Sequence, residues 1–311
     1  LLLRTRLAPP RLHRRLLPRP ALTAKLREAL DYRLTLVQAG TGYGKSTALA
    51  ALAEDGGPLL CAWYSIAEAD TDPQRFLSYL IAAFRLRLPA LSDSPTAVLQ
   101  EIATNGNNDA WPRVVDALVN SLADALNSPA LLVLDDYHFV ADTPQVNLLV
   151  ERLINYLPPH LHVVLSTRAM PHSPGLITWR AKGEVLDITH NDLAFQPAEI
   201  EALFHDTYGI QLSPDEVAAL ADKTEGWPIV LHLVWQGLRG STARRTADRL
   251  RGIAIVAAAS GPALFDYLAH EVLDRQPPDL AAFLRDTAVL RELTPAACDA
   301  VTRAAIAIPR N

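Results

Sequence analysis

Over the first 190 residues, short apolar runs alternate with amphipathic stretches. Arg33-Leu-Thr-Leu-Val37 is a leucine and β-branched run that passes at once into a glycine cluster, then into the alanine- and leucine-rich segment Ser46 to Ala53. That order predicts strand, loop, helix. Leu59 to Tyr64 is a second strand-like run, after which Asp72-Pro73 supplies an N-cap and an N1 proline. The helix they open carries Phe76, Leu77, Leu80, Ile81 and Phe84 on one face. The pattern continues with a helix from about Trp111 to Leu126, a strand over Ala130 to Leu134 and a helix from about Val146 to Tyr156. Two more strands follow, Leu161 to Ser166 and Glu184 to Ile188. Such alternation predicts an α/β fold, a parallel sheet with helices on both faces. The Asp93 to Asn108 stretch reads as the one long loop.

Beyond Asn191 the strand pattern stops. Pro197 opens a helix with Ile200, Leu203 and Phe204, and Ser213-Pro-Asp-Glu216 has the form of a capping box. From Gly261 a further helical set begins with Phe265, Leu268 and Val272, continues over Pro277 to Leu290, and ends in a helix opened by Thr294-Pro295. A sheet domain over residues 1–190, with an N-terminal leader, is therefore followed by a helical domain over 191–258 and an incomplete one over 259–311.

The glycine cluster, Ala39-Gly-Thr-Gly-Tyr-Gly-Lys-Ser46, lies between a strand and a helix, the setting a phosphate-binding loop requires. Gly40, Gly42 and Gly44 let the backbone turn its N–H groups inward around an anion, at the positive end of the following helix. Thr41 and Tyr43 complete the loop. Lys45 reaches the β and γ phosphates, Ser46 is placed to ligate Mg²⁺, and Thr47 can touch the α phosphate. Ala39 replaces the usual first glycine, a position that mainly sets the turn. Further along, Leu131-Leu-Val-Leu-Asp135-Asp136 ends a buried strand in two carboxylates, which is costly unless a cation or a wet site receives them. Asp135 is the expected Mg²⁺ ligand, and Asp136 the group that orients or deprotonates an attacking water.

Two features each carry two readings. Arg168, after the run Val163-Val-Leu-Ser-Thr, either reaches a γ phosphate and senses hydrolysis or is a surface arginine at a strand end. Gly226-Trp227-Pro228 either lays its backbone against an adenine ring or merely caps one helix and starts the next.

Composition narrows the partners. Half of the 311 residues are hydrophobic, enough for a sizeable core, while a net charge of −5 gives no global attraction for nucleic acid or an anionic membrane. The longest apolar runs, such as Pro228 to Trp235, fall short of the roughly 20 residues of a membrane span. Cys61 and Cys298 match no metal or redox spacing and read as small buried hydrophobes of a reducing, cytoplasmic compartment. His160 and His162 flank an apolar residue near a strand without Cys/His ligand spacing. Arginines without acids mark the first twenty residues, where four prolines favour an extended leader over a transit peptide or a nucleic-acid arm.

Taken together, these residues resemble the MalT-like branch of the signal transduction ATPases with numerous domains, a class of bacterial transcriptional activators. Carrying the resemblance are the Thr5-Arg-Leu-Ala-Pro-Pro leader, the loop with Tyr43, Ala62-Trp-Tyr-Ser65, Arg75 to Ala83, Asp135-Asp-Tyr-His138, Glu225-Gly-Trp227 and Asp266 to Leu273. It implies a P-loop nucleotide-binding domain, a small helical lid and a winged-helix domain, here partial, that close over ADP at rest. Exchange for ATP then permits self-association. Lys45 and Ser46 would be the Walker A pair, Asp135 and Asp136 the Walker B pair, Arg168 the arginine after the fourth strand and Pro228 the proline near adenine. Arg19 falls where the family places an arginine near the base, although Pro20 follows it where an acid is usual. A single methionine, Met170, and the lack of a helical-repeat sensor and a helix-turn-helix effector lead us to expect a piece of a longer protein, which meets DNA through a domain outside this chain.

Three function classes follow from these expectations. The first is a regulatory switch binding ATP or ADP with Mg²⁺, in which slow hydrolysis serves as reset. The second is an enzyme, either a small-molecule kinase or a motor ATPase of the origin-recognition type, and the third a platform that holds nucleotide structurally. The resemblance and the absence of an acceptor-substrate site favour the switch.

Overall fold

The computed structural model describes residues 2–12, 16–55, 59–106, 110–171, 173–239, 277–290, 294–295 and 297–301. The chain divides into two compact units, residues 1–229 and 230–311.

The first unit is built on five parallel strands, β1 (Leu34–Gln38), β2 (Leu60–Ser65), β3 (Ala130–Asp135), β4 (Leu161–Thr167) and β5 (Val185–Thr189). Their order across the sheet is β2-β3-β4-β1-β5. Leu34 is in register with Val163 of β4 on one side and Val185 of β5 on the other, so β1 is interior and β4 separates it from β3. Successive side chains point to opposite faces. Val37, Trp63, Val133 and Val164 pack on one face with Leu22 and Leu26 of α1 (Pro20–Arg27) and Leu49 and Leu52 of α2 (Lys45–Asp55). Leu36, Tyr64, Leu132 and Leu165 pack on the other. That face is covered by α3 (Pro73–Arg87), α5 (Pro112–Ala125), α6 (Pro144–Asn155) and α7 (Pro174–Ala181), with α4 (Ser94–Asn105) laid on α3 and α5. The expected parallel sheet, sandwiched by helices, is present.

Local rules account for most helix starts. Asp72 accepts the Arg75 amide at 2.7 Å and Pro73 occupies the first turn of α3, while Ser213 and Glu216 close a reciprocal capping box on α10 (Pro214–Thr224). Two segments differ from expectation. Within the stretch from Asp93 to Gly106, expected as a loop, α4 runs from Ser94, with Pro95 in its first turn, to a left-handed Gly106 at φ +66°. Its short apolar set, Val98, Leu99 and Ile102, needs the neighbouring helices to become a face. Likewise α7 bridges β4 and β5, where no helix was expected.

The helical segment after β5 comprises α8 (His190–Leu193), α9 (Pro197–Ala202), α10 and α11 (Pro228–Arg239), and α11 continues into the second unit. There α12 (Pro278–Thr287) is described, whereas the expected helix with Phe265, Leu268 and Val272 lies outside the described residues.

The leader is docked. Leu7 is buried, and the Arg6 guanidinium donates to the Ser65 carbonyl at 2.8 Å and to both oxygens of the fully buried Asp70, which also receives Arg75 at 2.9 Å. Burial by itself pushes the Asp70 carboxyl up, but Arg6, the Ala67 amide and Arg75 outweigh it and hold it below the ordinary aspartate value. A carboxyl lowered in the folded state contributes stability at neutral pH and loses it as pH falls through that lowered value. Arg6→Ala is expected to cost about 3 kcal/mol at pH 7. In urea midpoints, the gap to wild type should narrow below about pH 4.

Candidate functional site

At the carboxyl end of β1 the chain turns through residues 39–44 and enters α2 at Lys45. Gly42 and Gly44 hold φ of +76° and +77°, a conformation that only glycine adopts without strain. Lys45 is 7 % exposed, and its Nζ donates to the carbonyls of Ala39 at 2.8 Å and Gly40 at 3.0 Å. Burial pushes the Lys45 ammonium down, Asp136 and Asp135 pull it back up, and Arg168 adds to the lowering. Lys45 therefore feels the other three charged groups singled out in the sequence.

Asp135 is 3 % exposed and accepts the Asp136 amide at 3.1 Å. Asp136 itself takes the left-handed conformation at φ +57°, and its carboxylate lies 3.9 Å from His138 Nδ1. A non-glycine residue held there stores of order 1 kcal/mol of strain, the kind of cost found where a side chain must be aimed. Strand alternation puts Asp135 on the α2 face together with Ser65, its register partner on β2, and Ser166, the next position of β4. Trp63 Nε1 donates to Ser65 Oγ at 2.9 Å, whereas the buried Ser166 Oγ has no hydrogen-bond partner among the described residues. Sequence reasoning missed both serines as site residues. Their signal is a polar residue at the end of an apolar run, and it acquires meaning only from the order of the strands.

A second layer comes from the turn between α10 and α11. Glu225 and Gly226 both have positive φ, +49° and +69°. The Trp227 ring stacks on Tyr43 at 5.7 Å and its Nε1 donates to the Thr41 carbonyl at 3.1 Å, while the Ile229 amide donates to the Gly42 carbonyl at 3.2 Å. Burial, followed by the Glu225 carboxylate, raises the Tyr43 phenol pKa.

Beside the loop lies a cavity of about 480 Å³, mostly apolar, whose walls include Leu17, Thr23, Tyr43, Thr47, Phe195 and Pro228. Pro228 opens α11 and lines this cavity. Arg19 lines it too, but its guanidinium is engaged elsewhere. It donates to both Glu199 oxygens at 2.9 Å and to the carbonyls of Leu193 and Ala194 at 2.7 and 2.8 Å, and it lies over the Phe195 ring. Arg19 thus shapes the wall by fastening the segment after β5 to α1.

Cys61 and Cys298 are buried, and burial pushes the Cys61 thiol up to about 11. His162 Nδ1 is 2.8 Å from the Tyr32 carbonyl. Among the described residues, no group of three or more His, Cys, Asp or Glu side chains has metal-site geometry, and no helix is long and apolar enough to cross a membrane.

This strand order, with a glycine loop after β1 and carboxylates at the end of β3, defines the P-loop ATPase fold. The Walker-type ATPase of Pyrococcus abyssi superposes with a TM-score of 0.56 at 15 % identity, over 94 % of this chain and 86 % of its own. Sequence comparison is narrower in kind: the HTH-type transcriptional regulators MalT of Yersinia enterocolitica and Yersinia pestis are 30 % and 31 % identical over 280 residues. A family model described as the MalT winged helix domain matches residues 269–307. The chain is a MalT-like protein, matched over 89 % of its length and spanning 29 % of those relatives.

A Cβ on Gly226 would collide with the Phe195 backbone carbonyl oxygen, whereas one on Gly183, at a similar φ of +71°, meets nothing within 4 Å. Gly183→Ala should cost about 1 kcal/mol from backbone strain alone. Gly226→Ala should cost clearly more, and paired thermal melts read the difference.

Proposed function

We propose that this chain is the nucleotide-operated switch module of a MalT-like transcriptional regulator, taking ATP and ADP with Mg²⁺ and hydrolysing ATP slowly to reset. The observation that carries this reading is the convergence of Lys45, Asp135, Asp136 and Arg168 on one glycine loop that a helical turn clasps from outside. A motor or kinase has to bring an acceptor or a neighbour to those groups; a switch has to couple the loop to a movable element.

The residues fit the ligands. The Lys45 ammonium has been stripped of water and held by two carbonyls, so a polyphosphate arriving in the loop offers it a better partner. Ser46 at the start of α2 and the buried Asp135 would hold Mg²⁺, and the orphaned Ser166 hydroxyl suits a water of its shell. Bound there, the ion would neutralise charge on the transferred phosphoryl group. Asp136, aimed by its left-handed backbone, orients the attacking water, and Arg168 faces the charge that develops. The apolar cavity suits the base and ribose, with Thr47 toward the α phosphate and Pro228 along the base. Arg19 acts there as the fastening of the wall.

On this reading residues 1–190 bind the nucleotide, 191–258 form the lid and 259–311 begin the winged-helix domain, in line with the match over 269–307. DNA would be met through segments outside this chain, ATP-bound copies would associate in the longer protein, and the setting is the bacterial cytoplasm.

Purified protein, denatured and assayed for released nucleotide, should yield ADP, with turnover of about one per minute or slower. Rates on the order of tens per second would contradict the switch. Lys45→Ala should emerge without nucleotide. Asp136→Ala should retain ATP uncleaved, and normal hydrolysis by that variant would overturn the role given to its carboxylate.

A further inference from the structure

The outer side of the phosphate loop is held by two donors from the turn that starts α11. Trp227 Nε1 takes the Thr41 carbonyl and the Ile229 amide takes the Gly42 carbonyl, while the Trp227 ring stacks on Tyr43 and the His190 ring meets Tyr43 edge-on at 6.1 Å. The fit is close. A Cβ on Gly42 would lie 2.5 Å from Ile229 Cγ2 and 3.3 Å from Trp227 Nε1, so residue 42 must lack a side chain for the turn to reach the loop. In a planar trans peptide the C=O and the following N–H point in opposite directions. Drawing the Thr41 and Gly42 carbonyls outward therefore turns the N–H groups of Gly42 and Tyr43 inward, toward the place an anion would take.

We propose that Trp227 and the Ile229 amide are positioning groups for phosphate binding, acting as a clasp that pre-orders the loop's amides before the ligand arrives. This inference rests on the nucleotide reading of the same loop and adds to it the groups that set its affinity. An unclasped loop must give up peptide rotations on binding; a clasped one has already done so. Because both donors belong to the beginning of α11, a shift of that helix start would release the carbonyls and weaken the grip on phosphate without touching Lys45. Two otherwise unexplained features then have a purpose: the paired positive φ at Glu225 and Gly226, which brings Trp227 over the loop, and a tyrosine inside a glycine loop, which gives the indole a ring to rest on.

The test uses Trp227→Phe, which keeps an aromatic ring against Tyr43 but lacks the N–H. Trp179→Phe is the control; it removes another indole donor, bonded to Asn155 Oδ1 at 3.0 Å and lying outside the loop. Calorimetric titration with MgADP should show affinity about fivefold weaker for Trp227→Phe, as expected for one net hydrogen bond, and unchanged for Trp179→Phe. In nucleotide-free protein, hydrogen exchange at the Ile229 amide should accelerate several-fold in Trp227→Phe and not in Trp179→Phe. Affinity within twofold of wild type, or equal weakening by the two variants, would overturn the clasp. If wild type itself takes up no MgADP, the nucleotide reading fails, and with it the binding role of Trp227, while the exchange arm still reports whether the turn restrains the loop.

Discussion

An ammonium group withdrawn from water is the constraint around which this domain is arranged. Lys45 is nearly buried, satisfied for the moment by carbonyls of its own loop, and balanced by the two carboxylates that end β3. Lys45 and Asp135 are both buried, and leaving either charge uncompensated there costs several kcal/mol, so loop, acid and strands have to be placed together. The sheet order does this. With β4 between β1 and β3, the carboxyl ends of three neighbouring strands present the glycine loop, the Ser166 hydroxyl and the Asp135 carboxylate side by side.

Elements distant in the chain fasten to that same edge. Arg6 reaches the Ser65 carbonyl next to the acidic strand, Arg19 binds the segment after β5 through Glu199 and two carbonyls, and Trp227 reaches the loop itself. Leader and helical segment both line the cavity beside the loop. A ligand that touched several separately fastened segments would convert occupancy into conformation, because each fastening could be strengthened or lost as the ligand changed.

Much of this was legible in the chain. The strand, glycine loop and helix followed from local pattern, as did the two acids ending a run of buried residues, and all five strands lie within a residue or two of where periodicity put them. Not every helix declared itself. The apolar set of α4 is short and its face is completed by α3 and α5, while α7 lies in a stretch read only as a connection between strands. The placement of Ser65 and Ser166 beside Asp135 depends on strand order, which periodicity does not determine. Arg19 illustrates the opposite limit: it lines the cavity beside the loop, but its pairing with Glu199 joins positions 180 residues apart and appears only in the fold.

The most direct test of the account is calorimetric titration of the intact chain with MgATP and MgADP. Saturable uptake of one nucleotide per chain, absent without the triphosphate or diphosphate tail, is the predicted result. Well-folded protein that shows no saturable binding of either nucleotide would contradict it.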